Sequence, residues 1–252
     1  MDTLANPFSL EGKSILVTGA TSGIGRAVAS ACAQMGARVH VTGRNVSRLE
    51  ETASVLGCRA GCAIPADLDN PQNVECLAEQ LPALNGIVHC AGIAGRTPCK
   101  NITIPELDSA FKTNLYAPVL LQAALLRQKK VCKGASIVLL ASRAAASPSV
   151  GNAVYSATKG ALISYAKCLA LELAPRRVRV NCICPGMVWT PMITGGEIDT
   201  AHLEEAQSLY PLKRYGKPED IAYLAVYLLS EASAWMTGSC IDISGGGEGV
   251  LT

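Results

Sequence analysis

The chain is expected to belong to the α/β class, as a single doubly wound domain of about seven parallel strands with helices on both faces. Three observations predict this. Short apolar, β-branched runs alternate with longer helical patterns along the whole chain. A glycine-rich turn joins the first strand to the first helix. The chain has 252 residues, 49% hydrophobic and 17% charged, enough to bury a sizeable core. A length of roughly 250 residues is common for one α/β domain, and no internal repeat, low-complexity tract or Pro/Ser-rich linker divides residues 1–252.

The strands are predicted at Ser14–Thr18, Arg38–Thr42, Ala60–Ile64, Gly86–Cys90, Ser136–Ala141, Val178–Ile183 and Ser239–Ile243. Each is a short β-branched or apolar run bounded by turn residues. The helices between them are predicted at Ile24–Met35, Val46–Leu56, Gln72–Gln80, Ile104–Gln128, Asn152–Leu173 and Pro218–Leu229. These lengths suit right-handed crossovers between parallel strands. Pro105 and Pro218 mark helix starts, because proline is tolerated in a first turn. Pro118 conflicts with one continuous helix over Ile104–Gln128 and predicts a kink or local adjustment there. The irregular stretch from Pro185, residues 185–212, is the longest connection and the expected mobile substrate loop.

Composition excludes several functions. Lys plus Arg is 22 and Asp plus Glu is 20, a net charge of +2 that gives no polyanion-binding surface, and nucleic acid is not expected as a partner. The longest uncharged stretch, Val180–Gly196, is broken by Pro185 and Pro191, so no membrane span is expected. The start, with acidic Asp2 and no apolar run, matches neither a secretory signal nor a transit peptide, and a cytoplasmic location is expected. The 11 cysteines are irregularly spaced and sit largely in apolar segments, which suits packing in a reducing compartment. With only His40, His89 and His202 beside them, no metal site is expected.

The first strand runs into Thr18-Gly19-Ala20-Thr21-Ser22-Gly23-Ile24-Gly25, followed by a helix. Glycine is needed where the chain turns tightly and where its backbone must approach a pyrophosphate, and the helix N-terminus supplies aligned N–H donors. This points to a dinucleotide. At the end of the second strand stands Arg44 after Gly43, where an acidic residue would instead bond a ribose 2′-hydroxyl. A guanidinium favours a 2′-phosphate, which predicts NADPH (NADP+) over NADH.

Tyr155 and Lys159 are four residues apart in a predicted helix and so share one face. A phenol with its reference pKa of about 10 needs roughly 4 kcal/mol of differential stabilisation to titrate near neutrality, and one close cation with a dry site and a charged nicotinamide is expected to supply it. Ser142 follows the SIVLLA strand, at the carboxyl end where ligands of open parallel sheets bind.

These motifs, in this order, resemble the short-chain dehydrogenase/reductase family over almost the whole chain. The resemblance implies a Rossmann-like fold with Asn114, Ser142, Tyr155 and Lys159 as the catalytic tetrad. It implies cofactor contacts from Gly19, Thr21, Ser22, Gly23, Ile24, Gly25 and Arg44 at the loop and second strand. Asp67 and Leu68 would meet the adenine, Cys90, Ala91 and Gly92 would line the fourth strand's end, and Pro185, Gly186, Val188 and Thr190 would hold the nicotinamide side. Hydride delivery to a carbonyl is implied, with Tyr155 protonating the developing alkoxide, Ser142 bonding its oxygen, Lys159 binding the nicotinamide ribose and Asn114 supporting a proton-relay water. The chain departs from the family pattern where Cys90 stands for an asparagine. A thiol cannot make the amide's hydrogen bonds, so the side-chain tie of this strand to its neighbours is expected to be lost. His89 is read as a packed strand residue.

Lys133 and Arg176 stand at the offsets where 3-oxoacyl-carrier-protein reductases of the family have basic residues, and would steer an acidic acyl carrier protein to the mouth of the site. The loop residues Met187, Trp189, Met192, Ile193 and Leu209 would cover an acyl or ring-bearing ketone. The resemblance also implies a homodimer or homotetramer through the helices at Ile104–Gln128 and Asn152–Leu173. The leading expectation is an NADPH-dependent carbonyl reductase. Its rivals are a dehydrogenase of a sugar, steroid or other secondary alcohol, and a non-catalytic NADP(H)-sensing binding protein.

Overall fold

The computed structural model describes residues 6–195 and 200–247. Residues 1–5, which include the Asp2 of the start considered above, 196–199 within the predicted substrate loop, and 248–252 lie outside the described residues. The strands are β1 (Ser14–Thr18), β2 (Arg38–Gly43), β3 (Ala60–Pro65), β4 (Leu84–His89), β5 (Val131–Leu140), β6 (Arg179–Pro185) and β7 (Cys240–Ile243). They form one sheet in the order β3-β2-β1-β4-β5-β6-β7, with every neighbouring pair parallel. The order reverses between β1 and β4, and the crevice outside the carboxyl ends of those two strands is where such sheets bind ligands.

The helices are α1 (Gly23–Gln34), α2 (Val46–Leu56), α3 (Pro71–Gln80), α4 (Ile104–Phe111), α5 (Ala117–Arg127), α6 (Ala153–Leu173), α7 (Pro191–Thr194), α8 (Thr200–Gln207) and α9 (Pro218–Leu229). Alternation along the strands sends successive side chains to opposite faces. Leu16, Ile87, Ile137 and Val180 pack with Leu77, Leu121 and Leu162 of α3, α5 and α6. Ile15, Val17, Val88 and Ile183 pack with Val28, Leu49 and Ile221 of α1, α2 and α9. Both faces are therefore covered, and each carries its own core.

The predicted helix over Ile104–Gln128 is interrupted. A π-helical turn at Lys112–Tyr116 separates α4 from α5, and Pro118 falls in the first turn of α5. The wide turn absorbs the donor that proline lacks, so the helix axis continues instead of breaking. It also turns Asn114 inward, to 1% exposure. Two of the expected loop's segments are helical, α7 and α8, and Leu203, Tyr210 and Tyr215 form a small third core with Met187, Trp189 and Ile193 against it. Three of the five apolar side chains expected to cover substrate thus pack within the loop's own core, while Met192 and Leu209 are exposed.

Among the described residues no helix is long and apolar enough to cross a membrane, and no group of three or more His, Cys, Asp or Glu side chains is placed to hold a metal ion.

Candidate active site

The glycine loop is built for close approach. Gly19 has φ +63°, and a Cβ there would lie 2.8 Å from both Cα and N of Ala91. At Gly25 a Cβ would lie 2.2 Å from the Gly19 carbonyl oxygen. Any larger residue would push the loop out of this cradle. Ser22 is the N-cap of α1 without a side-chain cap bond, and the first turn carries no acidic residue to compete for its free N–H groups. This arrangement fits a pyrophosphate. Gly23 packs beneath the Thr190 side chain, where a Cβ would come within 3.3 Å of Cγ2, so the segment after β6 reaches the loop.

Cys90 supplies no amide, yet β4 stays tied to β1. The Thr18 hydroxyl accepts from the N–H of Cys90 at 3.1 Å and of Ala91 at 3.2 Å. The tie expected to be lost with the asparagine is carried by backbone donors and a threonine at the end of β1. The sequence reading gave Thr18 no role. A hydroxyl-bearing residue closing the first strand was the available signal.

Arg44 and Asp67 line one cleft of about 360 Å³ with Ile64, Pro65, Cys76 and Gln80, at the carboxyl ends of β2 and β3. Leu68 is buried beneath it in the core shared with Val74 and Leu77. The cleft is large enough for a nucleoside moiety, and Arg44 forms part of its wall.

Ser142 follows β5 and caps a short 3-10 turn, its hydroxyl accepting from the Ala144 N–H at 3.1 Å. It lies close enough to the Tyr155 phenol to favour its ionised form. Tyr155 and Lys159 lie one turn apart on α6, with the ammonium 5.7 Å from the ring centroid. Lys159 is 4% exposed and donates to the Leu140 carbonyl at 2.8 Å. Burial pulls its pKa down to about 8, against the partial opposition of the nearby Cys90, Cys182 and Cys184. The chain's own groups do not by themselves lower Tyr155. Burial is the largest influence and pushes the phenol up, with Ser142 acting the other way.

Asn114 is held from three sides. Its Oδ1 accepts from the Ile93 N–H at 2.8 Å, and its Nδ2 donates to the Ile93 carbonyl at 3.0 Å and to Thr158 Oγ1 at 3.1 Å. A Cβ on Gly92 would lie 3.2 Å from Asn114 Oδ1 and 3.5 Å from Lys159 Nζ, so these groups meet at one point. Gly186 donates to the Ile243 carbonyl, which fixes the turn after Pro185, and Val188 is buried beside a bridge to Gly216.

Two predicted residues are not brought to the site. Lys133 and Arg176 lie at the amino end of β5, where Arg176 donates to the Val131 carbonyl, whereas Ser142 follows the carboxyl end. Within one chain these cations do not face the mouth of the site, because strand β5 separates them from it.

The fold and cradle define a dinucleotide-binding α/β protein whose crevice gathers a phenol, an ammonium and a hydroxyl. Comparison with known proteins makes this more specific. A family model described as Enoyl-(Acyl carrier protein) reductase matches residues 19–248. The chain is 33% identical over 249 residues to 3-oxoacyl-[acyl-carrier-protein] reductase FabG of Aquifex aeolicus, covering 95% of this chain and 98% of that protein. It is 34% identical over 246 residues to D-threitol dehydrogenase of Mycolicibacterium smegmatis, covering 95% and 94%. A solved glucose/ribitol-type short-chain dehydrogenase/reductase from Brucella melitensis superposes with a TM-score of 0.89 at 32% identity, covering 98% and 100%. The chain belongs to the short-chain dehydrogenase/reductase family, and is an oxidoreductase of the kind that uses NAD(P).

Proposed function

We propose that the protein is an NADPH-dependent reductase that converts a carbonyl to a secondary alcohol, with a 3-oxoacyl thioester as the first substrate to test. The observation that carries this reading is the meeting of Ser142, Tyr155 and Lys159 at the carboxyl edge of the sheet beside the glycine cradle. When bound, the reduced nicotinamide supplies the hydride. The chain's own groups supply the proton and hold the charge. Ser142 donates a hydrogen bond to the carbonyl oxygen as negative charge grows on it, and Tyr155 transfers its phenolic proton to that oxygen. Burial holds the phenol in its protonated form at neutral pH, so Tyr155 has a proton to donate to that oxygen. Lys159 then stabilises the phenolate left behind, and Asn114 fixes the loop at Ile93 that faces it.

For the nucleotide, Gly19, Thr21, Ser22, Gly23, Ile24 and Gly25 would hold the pyrophosphate, with Ala91 and Gly92 behind it. Asp67 and Leu68 would bound the adenine, Arg44 would take the 2′-phosphate, and Pro185, Gly186, Val188 and Thr190 would flank the nicotinamide. Similarity to the Aquifex aeolicus reductase supports the thioester. Acyl carrier protein would deliver it by a surface other than one leading from Lys133 and Arg176 to the same chain's site. We also assign a homotetramer, or failing that a homodimer, through the outward faces of α5 and α6, where Leu120 and Leu171 are exposed.

The similarity to D-threitol dehydrogenase favours a second reading, oxidation of a polyol or other secondary alcohol with NAD(P)+. Steady-state rates for acetoacetyl thioesters, ketones and polyols, each with both nucleotides, separate the two. Turnover of polyols with none of any thioester or ketone overturns the reductase reading.

A further inference from the structure

The mechanism leaves unused a row of thiols on the sheet. Cys182 and Cys184 are alternate residues of β6, so both point to the face covered by α6, and they are 0% and 2% exposed. On the edge strand β7 Cys240 is the register partner of Cys182, and it is exposed. All three are free thiols. The Cys182 and Cys240 thiols lie close enough to influence each other's ionisation. Paired positions on neighbouring strands lie about 4.8 Å apart, inside the range of about 4.4–6.8 Å between Cα atoms that a disulfide requires.

We propose that Cys182 and Cys240 form a redox-active dithiol, which a hydroperoxide converts into an intramolecular disulfide strapping β7 to β6. Exposure makes Cys240 the sulfur that meets the oxidant. Its sulfur attacks a peroxide oxygen, the O–O bond breaks, and the departing oxygen leaves as water or alcohol with the thiol's proton. The resulting sulfenic acid is then attacked by the Cys182 sulfur. The S–O bond breaks, and hydroxide leaves with the Cys182 proton as water. Two thiols are oxidised, one peroxide is reduced, and atoms and electrons balance. Cys182 is suited to the resolving role because burial keeps its thiol protonated and out of reach of the oxidant until the neighbouring sulfenic acid forms. The strap would sit on the face that carries Lys159, whose ammonium lies near Cys182 and Cys184.

The test is treatment of the native full-length protein with hydrogen peroxide, alkylation of the remaining thiols, and tandem mass spectrometry under non-reducing conditions. The expected result is loss of two free thiols per chain, a mass lower by two hydrogen atoms, a Cys182–Cys240 linked peptide, and full reversal by dithiothreitol. Cys240→Ser, at an exposed position, must abolish the link, and Cys99→Ser on a distant exposed turn must preserve it. In Cys182→Ala the Cys240 sulfur must proceed instead to sulfinic acid; should that variant not fold, the Cys240→Ser comparison alone decides. A Cys240–Cys240 link between chains, a Cys184–Cys240 link, or over-oxidised Cys240 beside a still-alkylatable Cys182 in the unmodified sequence would overturn the assignment.

Discussion

Mild acid should destabilise this protein through two buried histidines, and the structure sets the size of the effect. His40 is 2% exposed and His89 is 3% exposed. His40 occupies a place where the pairing of β2 with β3 slips register between Val39 and Val41. Its ring lies over Gly61, where a Cβ would come within 2.6 Å of it, and its Nδ1 accepts from the Cys62 N–H at 3.0 Å while Nε2 meets Ser14 Oγ at 2.8 Å. Nδ1 can act as acceptor only in the neutral ring, so protonation breaks the bond that bridges the bulge. His89 meets Gln122 Oε1 through Nε2, and its Nδ1 is buried without a partner. Burial is the main cause that lowers both from 6.5 to about 4, reinforced by Arg38 at His40 and opposed by Gln122 at His89. A folded-state pKa below the unfolded value means that the unfolded chain binds more protons between the two. The stability these neutral rings confer is complete above about pH 6.5 and is lost as pH falls toward 4. At pH 5 each site has given up about 2 kcal/mol, and the pair about 4 kcal/mol. For a chain of this size that lowers Tm by roughly 8–16 °C. Urea unfolding followed by circular dichroism at pH 7.5, 6 and 5 measures it, with His40→Gln and His89→Gln as non-titrating references. Equal stability of the unmodified protein at pH 7.5 and pH 5, or the same loss in the double variant, would refute the reasoning.

Four further outcomes follow from the site. Arg44→Ala should raise KM for NADPH by roughly 10–100-fold, the loss of a charge-assisted contact, and leave NADH kinetics nearly unchanged; equal effects on both nucleotides would remove Arg44 from the phosphate site. Tyr155→Phe should lower kcat by about 10²–10⁴ without shifting Tm, as measured by steady-state assay and calorimetry together. The reductive rate should fall above about pH 8 as Lys159 loses its proton, in a kcat/KM profile against pH; a flat profile to pH 10 contradicts the pKa of about 8. Gly19→Ala forces a left-handed alanine at φ +63° against Ala91 and should abolish tight nucleotide binding in fluorescence titration, at a cost to stability of about 1–2 kcal/mol.

The sheet was legible because each β-branched run carries its own boundary signals, and the glycine loop because only glycine tolerates the Gly19 and Gly25 approaches. Local chemistry located Ser142, Tyr155 and Lys159, since a strand end and one helical turn are short-range relations. What escaped depends on relations the linear sequence does not encode. A π-helical turn adds a residue to one helical turn with no periodic signature, and only Pro118 betrayed it. The direction of the Tyr155 shift turned on how dry the phenol is, which spacing to Lys159 cannot report. The roles of Thr18 and His40 rest on which backbone N–H groups arrive from a neighbouring strand.

Lys133 shows what an offset match leaves open and what the geometry of one chain constrains. Nine residues before Ser142, at about 3.3 Å per strand residue, is a separation of up to about 30 Å, most of it along β5. A cation so placed faces the opposite edge of the sheet from the serine, whatever residue types match at both positions. Charge at that edge acts on the catalytic crevice only through screening solvent over several Debye lengths, where its effect on an approaching acidic partner is small. Two variants separate local steering from any other role: Lys133→Glu and Arg176→Glu together should leave kcat/KM for a small acetoacetyl thioester within about twofold, because exposed charges beyond a Debye length are largely screened. A tenfold loss with that small substrate would mean that the amino edge of the sheet and the crevice are coupled in a way the single chain does not display.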